Sequence, residues 1–502
     1  MRIAASVFLF SIAVACGGSN SDGGGAGPGT LTQPLVSGLR INEISLYQAV
    51  KIPLAIDGNP ILDRSVPVVQ GRDALIRVFV QPEPGWQPRE VIVRLEILNS
   101  QGAYPPQEIR RPVTVASSEA DFQSAFNFDI PGAQMGGDIG YSVSIHEVTQ
   151  DAVGPASGGA RFPVQGAVAM NAAYGGDSVK MVLVPVQYFA DNSGRQPDMS
   201  EQQVELYRRY MHDMYPTPKV DVRIREPLFY SQPVNGQDDS MANLLQTVLY
   251  TRQQDIAAGN ATADEFYYGL VVPRASFGQY CQQGCVLGLT FQTGQGGQGQ
   301  ESYLRGSVGI GYTGNDAAQT FIHEIGHAYG RQHAPCAPHN LIQSVDPAYP
   351  HQGATIGTWG YSLSGHQLLD PQGQTRDFMS YCEPSWVSDY TYRGLFEKIA
   401  FINGVQSFKA LAPPQRFRSV SIGSSGALNM GQPFDIQGTP SGTPESVEVV
   451  DASGNATKVT GYFHSYDHLP GGMLLVPEPA EPPGEPGRRA RGLRLRGQAI
   501  SL

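Results

Sequence analysis

The sequence predicts a multidomain chain with an immunoglobulin-like β-sandwich over residues 36–170, an α+β domain over 177–405 and a small β domain over 406–502. Three observations carry that division. Apolar residues recur with a period of two between Leu39 and Val164, strands and amphipathic helices alternate from Lys180 onward, and glycine, proline and serine rise with short alternations after Phe408. With 502 residues, 41% hydrophobic and 16% charged, the chain can bury two or three cores.

The first 16 residues, MRIAASVFLFSIAVAC, carry one arginine, an apolar run from Ile3 to Ala15 and a cysteine. The run is too short to span a bilayer. It reads as a bacterial lipoprotein signal, with Ala13, Val14 and Ala15 as a permissive lipobox and Cys16 as the residue to be lipidated. Alanine at Ala13, where leucine is usual, leaves plain cleavage and secretion as the alternative. Gly17 is not the aspartate associated with inner-membrane retention, so the expected location is the outer membrane or cell surface. Residues 17–35 open with GGSNSDGGGAGPGT, a flexible tether without material for a core. Membrane contact is expected through the lipid alone.

In the sandwich, Ile76, Val78 and Val80 alternate with Leu75, Arg77 and Phe79, and Val91, Val93, Leu95 and Ile97 repeat the pattern. It holds no catalytic constellation. Farther on, Lys180–Tyr188 reads as a buried strand and Met199–Met214 as a helix with Val204, Tyr207 and Met211 on one face. Val220–Ile224 follows as a strand, Asp238–Ile256 as a longer helix and Phe266–Val272 as a strand. SVGIGY at Ser307–Tyr312 is a candidate edge strand able to hold an extended chain by strand addition; its alternative is an internal strand with glycines for packing.

The stretch Asp316 to His333, DAAQTFIHEIGHAYGRQH, carries the chemistry. Asp316 and Gln319 form a capping-box-like start, and nothing interrupts a helix from Ala317 to Tyr329. His323 and His327, one turn apart, share a face and can reach one metal ion. Gly330 can take the left-handed conformation, ending the helix so that His333 approaches from outside it. Three neutral imidazoles leave one tetrahedral position for water, the arrangement of a catalytic zinc site. Glu324 is the expected base, taking a proton from water whose pKa the zinc lowers. One Zn2+ is thus implied, and the residues assign no role to Ca2+. His339, His351 and His366 compete for the third ligand position at no recognised distance from the helix.

The pattern HExxHxxGxxH, complete at His323, Glu324, His327, Gly330 and His333, resembles the metzincin clan of zinc endopeptidases. The resemblance implies a zincin-type central fold and a methionine turn under the metal, matched by DFMSYC at Asp377 to Cys382, with Met379 as the floor. Tyr381 matches the spacing of a tyrosine that binds zinc or stabilises the oxyanion in some branches. Ala334, after the third histidine, fits none of the better-known branches. HEIGHAYG, TWGY at Thr358 to Tyr361, DFMSYC and WVSDYTY at Trp386 to Tyr392 together look more like secreted mucin-cleaving metalloproteases of the StcE type. That resemblance implies protein substrates, O-glycosylated ones among them. The competing expectation is a surface binding protein or adhesin with an inactive zincin fold, and the same residues would also serve zinc-dependent hydrolysis of a non-peptide substrate. Trp359 is either a pocket wall near the metal or a core residue.

Removing Cys16 leaves Cys281, Cys285, Cys336 and Cys382, an even number in an exported chain. Three connectivities are open. The expected one joins Cys281 to Cys285 and Cys336 to Cys382, with a metal-bound cysteine as the alternative. Arg488, Arg489, Arg491, Arg494 and Arg496 form a basic cluster, but a net charge of −11 with 45 acidic against 34 basic residues, and the alternation of LRLRG on a final strand, argue against nucleic acid as a partner. The sequence assigns no oligomeric state.

Overall fold

The computed structural model describes residues 33–502 apart from 152, 237–239, 283–284, 295–300, 337–344, 405–413, 452–453, 479–489, 496 and 502. Cys16, His339, Arg488, Arg489 and Arg496 lie outside the described residues. Among the described residues no helix is long and apolar enough to cross a membrane.

The N-terminal region consists of two antiparallel sheets. One is built on β1 (Leu39–Ile56), β2 (Ala74–Pro82) and a later strand Phe126–Ile130; the other on β3 (Arg89–Asn99), β4 (Gln107–Val113) and Gly140–Glu147. Their alternate residues meet in one core, where Leu46, Ile76, Val78 and Phe126 of the first sheet join Val93, Leu95, Val143 and Ile145 of the second. The opposite phase is not simply solvent-facing. Arg77 is fully buried, ion-paired to Glu119 at 2.8 Å and set over the Phe79 ring.

The central region carries a mostly parallel sheet. Numbering on along the chain, β5 (Phe126–Ile130) and β6 (Gly140–Glu147) close the first region, and β7 (Val179–Tyr188), α1 (Glu201–Met214), β8 (Val220–Ile224), α2 (Met241–Ala257) and β9 (Phe266–Val271) follow. They lead through β10 (Gly288–Thr290) and β11 (Gly306–Ile310) to α3 (Asn315–Ala328). The sheet order is β8-β7-β9-β11-β10, parallel except for β10, which runs antiparallel on the edge. SVGIGY is therefore internal: β11 lies between β9 and β10, and its glycines answer packing. A Cβ on Gly309 would stand 2.0 Å from the Tyr268 hydroxyl, and one on Gly306 would stand 2.7 Å from Leu249. The edge belongs to the shorter β10.

The start of α3 also differs from expectation. Gly314 stands at the N-cap and no side chain caps the helix, so Asp316 lies within the first turn instead of before it. There its charge favours the helix dipole. Phe321, Ile322 and Ile325 are essentially buried, each worth about 1.5–3 kcal/mol of apolar burial, and Phe321 meets Tyr207 of α1 and Tyr268 of β9 at 5.3 and 4.9 Å.

Two later strands, β12 (Gly360–Ser362) and β13 (Gln367–Leu369), leave the central region and extend the first sheet, with Ala49 of β1 opposite Tyr361. Trp359 of TWGY packs there with Tyr47, Leu75 and Tyr361, as a core-lining residue of the first sheet. The sandwich and the metal-helix side of the central sheet consequently share one continuous core. Arg72, fully buried, fastens them by donating to the carbonyls of Thr217, His212 and Asp213 at 2.8, 2.6 and 3.2 Å.

After α4 (Asp389–Ile402) comes a seven-stranded antiparallel sheet formed by β14 (Pro414–Ile422), β15 (Leu428–Gln437), β16 (Thr443–Asp451), β17 (Ala456–Ser465), β18 (Gly472–Pro477), β19 (Ala490–Leu495) and β20 (Gln498–Ser501). LRLRG is not on the final strand, since β19 pairs with both β16 and β20. Phe417, Phe434, Ile436, Met473 and Leu475 of this sheet join Leu244, Leu245 and Val248 of α2 in a second core.

Arg72→Ala removes a guanidinium whose bonds span the sandwich and the central region. It is expected to cost about 3 kcal/mol or more, read as a lowered midpoint of urea unfolding.

Candidate metal centre

Helix α3 ends in a Schellman turn that follows directly from its sequence. Gly330, at φ +82°, donates to the His327 carbonyl at 2.8 Å, and Arg331 reaches back to the Gly326 carbonyl at 2.9 Å. The reversal returns His333 to the helix face. There the Nε2 atoms of His323, His327 and His333 lie 3.1–3.3 Å apart. All three rings are buried.

The other ring nitrogens show why the contact between His323 and His327 is not a hydrogen bond. His323 Nδ1 donates to the Phe378 carbonyl at 2.8 Å and His327 Nδ1 to the Arg331 carbonyl at 2.7 Å. Both Nε2 atoms then carry lone pairs. Lone pairs converging at this distance repel unless a cation lies between them. Metal–nitrogen bonds of about 2.0–2.1 Å in a tetrahedral site place ligands about 3.3–3.4 Å apart, so the donor set fits such an ion. Burial pushes the His323 imidazole down and His327 down to about 3, and it lowers His333 with help from its two neighbours.

Glu324 follows His323 on the helix and is buried against Gly288 of β10. A Cβ on Gly288 would stand 2.5 Å from Glu324 Cγ, so only a residue without a side chain leaves the carboxylate its place. Burial, reinforced by the charge of Asp467, holds the Glu324 carboxyl well above the usual carboxylate range. Its Oε2 has no hydrogen-bond partner among the described residues.

Met379 lies beneath the site, fully buried; a Cβ on Gly326 would come within 2.3 Å of its sulfur. Asp377, which the sequence reading passed over, shapes that turn. Its fully buried carboxylate accepts from the Met379 and Ser388 amides at 2.8 and 3.1 Å and from the Tyr349 hydroxyl at 3.4 Å. The signal for it was in DFMSYC, since an aspartate two residues before a tight turn caps the turn's amides. Tyr381 is 41% exposed, its ring 5.4 Å from His323 and 4.9 Å from His333.

Both disulfides take the expected connectivity, Cys281 with Cys285 and Cys336 with Cys382. The second joins the segment after His333 to the segment after Met379. His351 and His366 are elsewhere, His351 bonded to Asp389 at 2.6 Å and His366 to Tyr361 at 3.2 Å.

A residue missed entirely is Asp467, between β17 and β18. It is fully buried, with Oδ2 3.6 Å from His327 Nε2, and it bonds to His468 Nδ1. Ligating atoms of Glu324, Asp467 and His468 form a second group within 4.8 Å of one another. Nothing in the local sequence TGYFHSYDHLPGG marks it, because its partners come from another part of the chain.

The Peptidase M66 family model matches residues 237–399, a span that includes α2, α3 and the methionine turn. The chain is also similar to Dictomallein of Burkholderia mallei (strain SAVP1) and of Burkholderia pseudomallei (strains 668 and K96243), each 22% identical over 340 residues, covering 62% of this chain and 44% of theirs. It thus spans less than half the length of the curated relatives it matches. The central region is thus similar to a peptidase family over residues 237–399.

Asp377→Ala would leave the Met379 and Ser388 amides without their acceptor and loosen the turn whose Phe378 carbonyl orients His323. The expected cost is about 2–4 kcal/mol of stability, with metal affinity about 10–100-fold weaker, measured by thermal unfolding and chelator competition.

Proposed function

We propose that this chain is an exported, zinc-dependent endopeptidase, held at the cell surface by lipid on Cys16, whose substrates include O-glycosylated proteins. The observation that carries the enzymatic part is the convergence of three Nε2 atoms beside a buried Glu324 whose Oε2 has no hydrogen-bond partner among the described residues, within the span matched by a peptidase family. The surface location rests on the N-terminal sequence, and the glycoprotein preference on the resemblance to StcE-type enzymes. The matched relatives' name, Dictomallein, adds no substrate to this reading.

His323, His327 and His333 would hold the ion, which when bound supplies a Lewis acid that polarises a carbonyl and brings a water's pKa toward neutrality. Glu324 takes the proton from the attacking water. The same group then delivers that proton to the leaving amine as the peptide C–N bond breaks. Tyr381, beside the imidazoles on the open side of the site, is assigned to donating a hydrogen bond to the charge developing on the carbonyl oxygen. The edge strand of the central sheet nearest this chemistry is β10, and an extended peptide would be held by pairing with its outer edge.

The second reading, an adhesin that no longer turns over, is favoured by one observation: Asp467 stands against the histidines. Retention of Glu324 weighs against it.

The test is cleavage of a mucin-type glycoprotein and of unfolded casein, compared with Glu324→Ala and Tyr381→Phe. Loss of cutting by about 10²–10⁴-fold in Glu324→Ala establishes the peptidase, a loss on the order of 10²-fold in Tyr381→Phe supports its role, and faster cutting of the glycoprotein supports that substrate class. Folded, zinc-loaded protein that cuts neither substrate, both unmodified and as Asp467→Ala, moves the adhesin ahead.

A further inference from the structure

The turn between β17 and β18 enters the metal centre from the C-terminal sheet. It does so along the outer edge of β10. Asp467 donates its amide to the Thr290 carbonyl at 3.2 Å, Gln292 donates to the Ser465 carbonyl at 3.1 Å, and Phe291 and Tyr466 form an antiparallel bridge with their rings 5.1 Å apart. This is the pairing an extended substrate would make with the same edge. One carboxylate oxygen of Asp467 accepts from the Thr290 amide at 3.2 Å; the other is 3.6 Å from His327 Nε2.

His327 Nδ1 already donates to the Arg331 carbonyl, so in the neutral ring Nε2 is a lone pair. A lone pair facing a carboxylate oxygen is repulsive by itself. The arrangement becomes favourable when a cation sits among them; of the three histidines His327 alone has its Nε2 within ion-pairing reach of the carboxylate, at 3.6 Å against 3.1–3.3 Å between the histidines, so Asp467 stands beside the fourth position, on the His327 side. Asp467 is fully buried and its group with Glu324 spans no more than 4.8 Å, so it fills the space next to the base where a reacting water must stand. His468 Nδ1 bonds to the same Oδ2 that faces His327, while the Thr290 amide holds Oδ1.

We infer that Asp467 is a fourth protein ligand of the metal and that residues 465–468 are an internal occupant of the substrate edge, so that this is a latent form from which the turn must lift before cleavage. The inference rests on the metallopeptidase reading and adds to it a self-blocking segment.

Two readouts on the whole chain test it. With cobalt(II) as the probe, Asp467→Ala and the near-isosteric Asp467→Asn are expected to shift the visible ligand-field bands and to weaken metal binding about 10–100-fold in chelator competition. Metal-saturated Asp467→Ala is expected to cut unfolded casein at least about tenfold faster, mainly through a lower KM, because the substrate no longer competes with the turn. Asp467→Asn preserves volume and the Thr290 bond, so it carries the test if the alanine variant does not fold. Unchanged cobalt bands in both variants overturn the inference, and so does slower cleavage, which would make Asp467 part of the working site. In either case cobalt bound by the unmodified chain leaves the metallopeptidase reading standing; if the unmodified chain binds no cobalt, both fall.

Discussion

Three imidazole nitrogens brought to within 3.1–3.3 Å of one another, two of them held as lone pairs by backbone carbonyls on their other ring nitrogens, constitute the constraint on which the surrounding structure depends. Before an ion binds, the arrangement is electrostatically unfavourable and must be imposed by groups that do not move. The fold supplies them from the backbone. His323 is oriented by the Phe378 carbonyl and His327 by the Arg331 carbonyl, one on the methionine turn and one in the Schellman turn that closes α3. Each carbonyl is fixed in turn. Phe378 belongs to the segment that Asp377 organises, Arg331 is placed by Gly330, and the Cys336–Cys382 bridge ties the two segments together. Preorganisation of this kind spares the site from reorganising when the ion binds.

The parts of the centre that were legible in the sequence are those that local geometry decides. A one-turn spacing on a helix brings His323 and His327 together whatever the rest of the chain does, and Gly330 is a residue that can end the helix in the left-handed region. Both consequences appear as expected. The parts that were not legible are set by contacts between distant segments. SVGIGY was open to two readings, an edge strand and an internal strand with glycines for packing, and the second holds: Gly309 and Gly306 admit the Tyr268 hydroxyl and Leu249. The true edge, Gly288–Thr290, is too short to show a period. Asp316 resembled a cap because its spacing to Gln319 suits one, whereas the helix begins one residue earlier, at Asn315, with Gly314 before it.

The two flanking β regions also look separable in composition, and packing makes them otherwise. The sandwich receives β12 and β13 from the central region, and Trp386, downstream of the methionine turn, donates its indole N–H to the Ala49 carbonyl of β1 at 2.8 Å. A composition shift near residue 170 records where the chain changes pattern; it carries no information about which strands a later loop will join. The core shared by the sandwich and α3 means that the floor of the metal centre is braced by β1 through Trp386.

The C-terminal sheet acts on the centre from the opposite side and by a different kind of contact. Its strands are seated on α2 through Phe434, Ile436 and Met473, well-packed side chains in a continuous apolar core. What reaches the histidines is the turn between β17 and β18, held by two backbone hydrogen bonds, one aromatic stack and a carboxylate. These differ in how they can yield. Separating the sheet from α2 would expose a whole core, at a cost that grows with apolar area, while lifting the turn exposes the Tyr466 ring of that core and exchanges two hydrogen bonds for similar ones to an incoming peptide backbone. The hydrogen-bond part of the exchange is nearly neutral, since a net protein hydrogen bond is worth only about 0.5–1.5 kcal/mol; the Tyr466 ring is the part that a substrate side chain over Phe291 has to replace. A substrate strand that pairs with β10 can therefore compete with the turn while the sheet stays seated, and the floor braced by the sandwich keeps the three histidines in place as it does so.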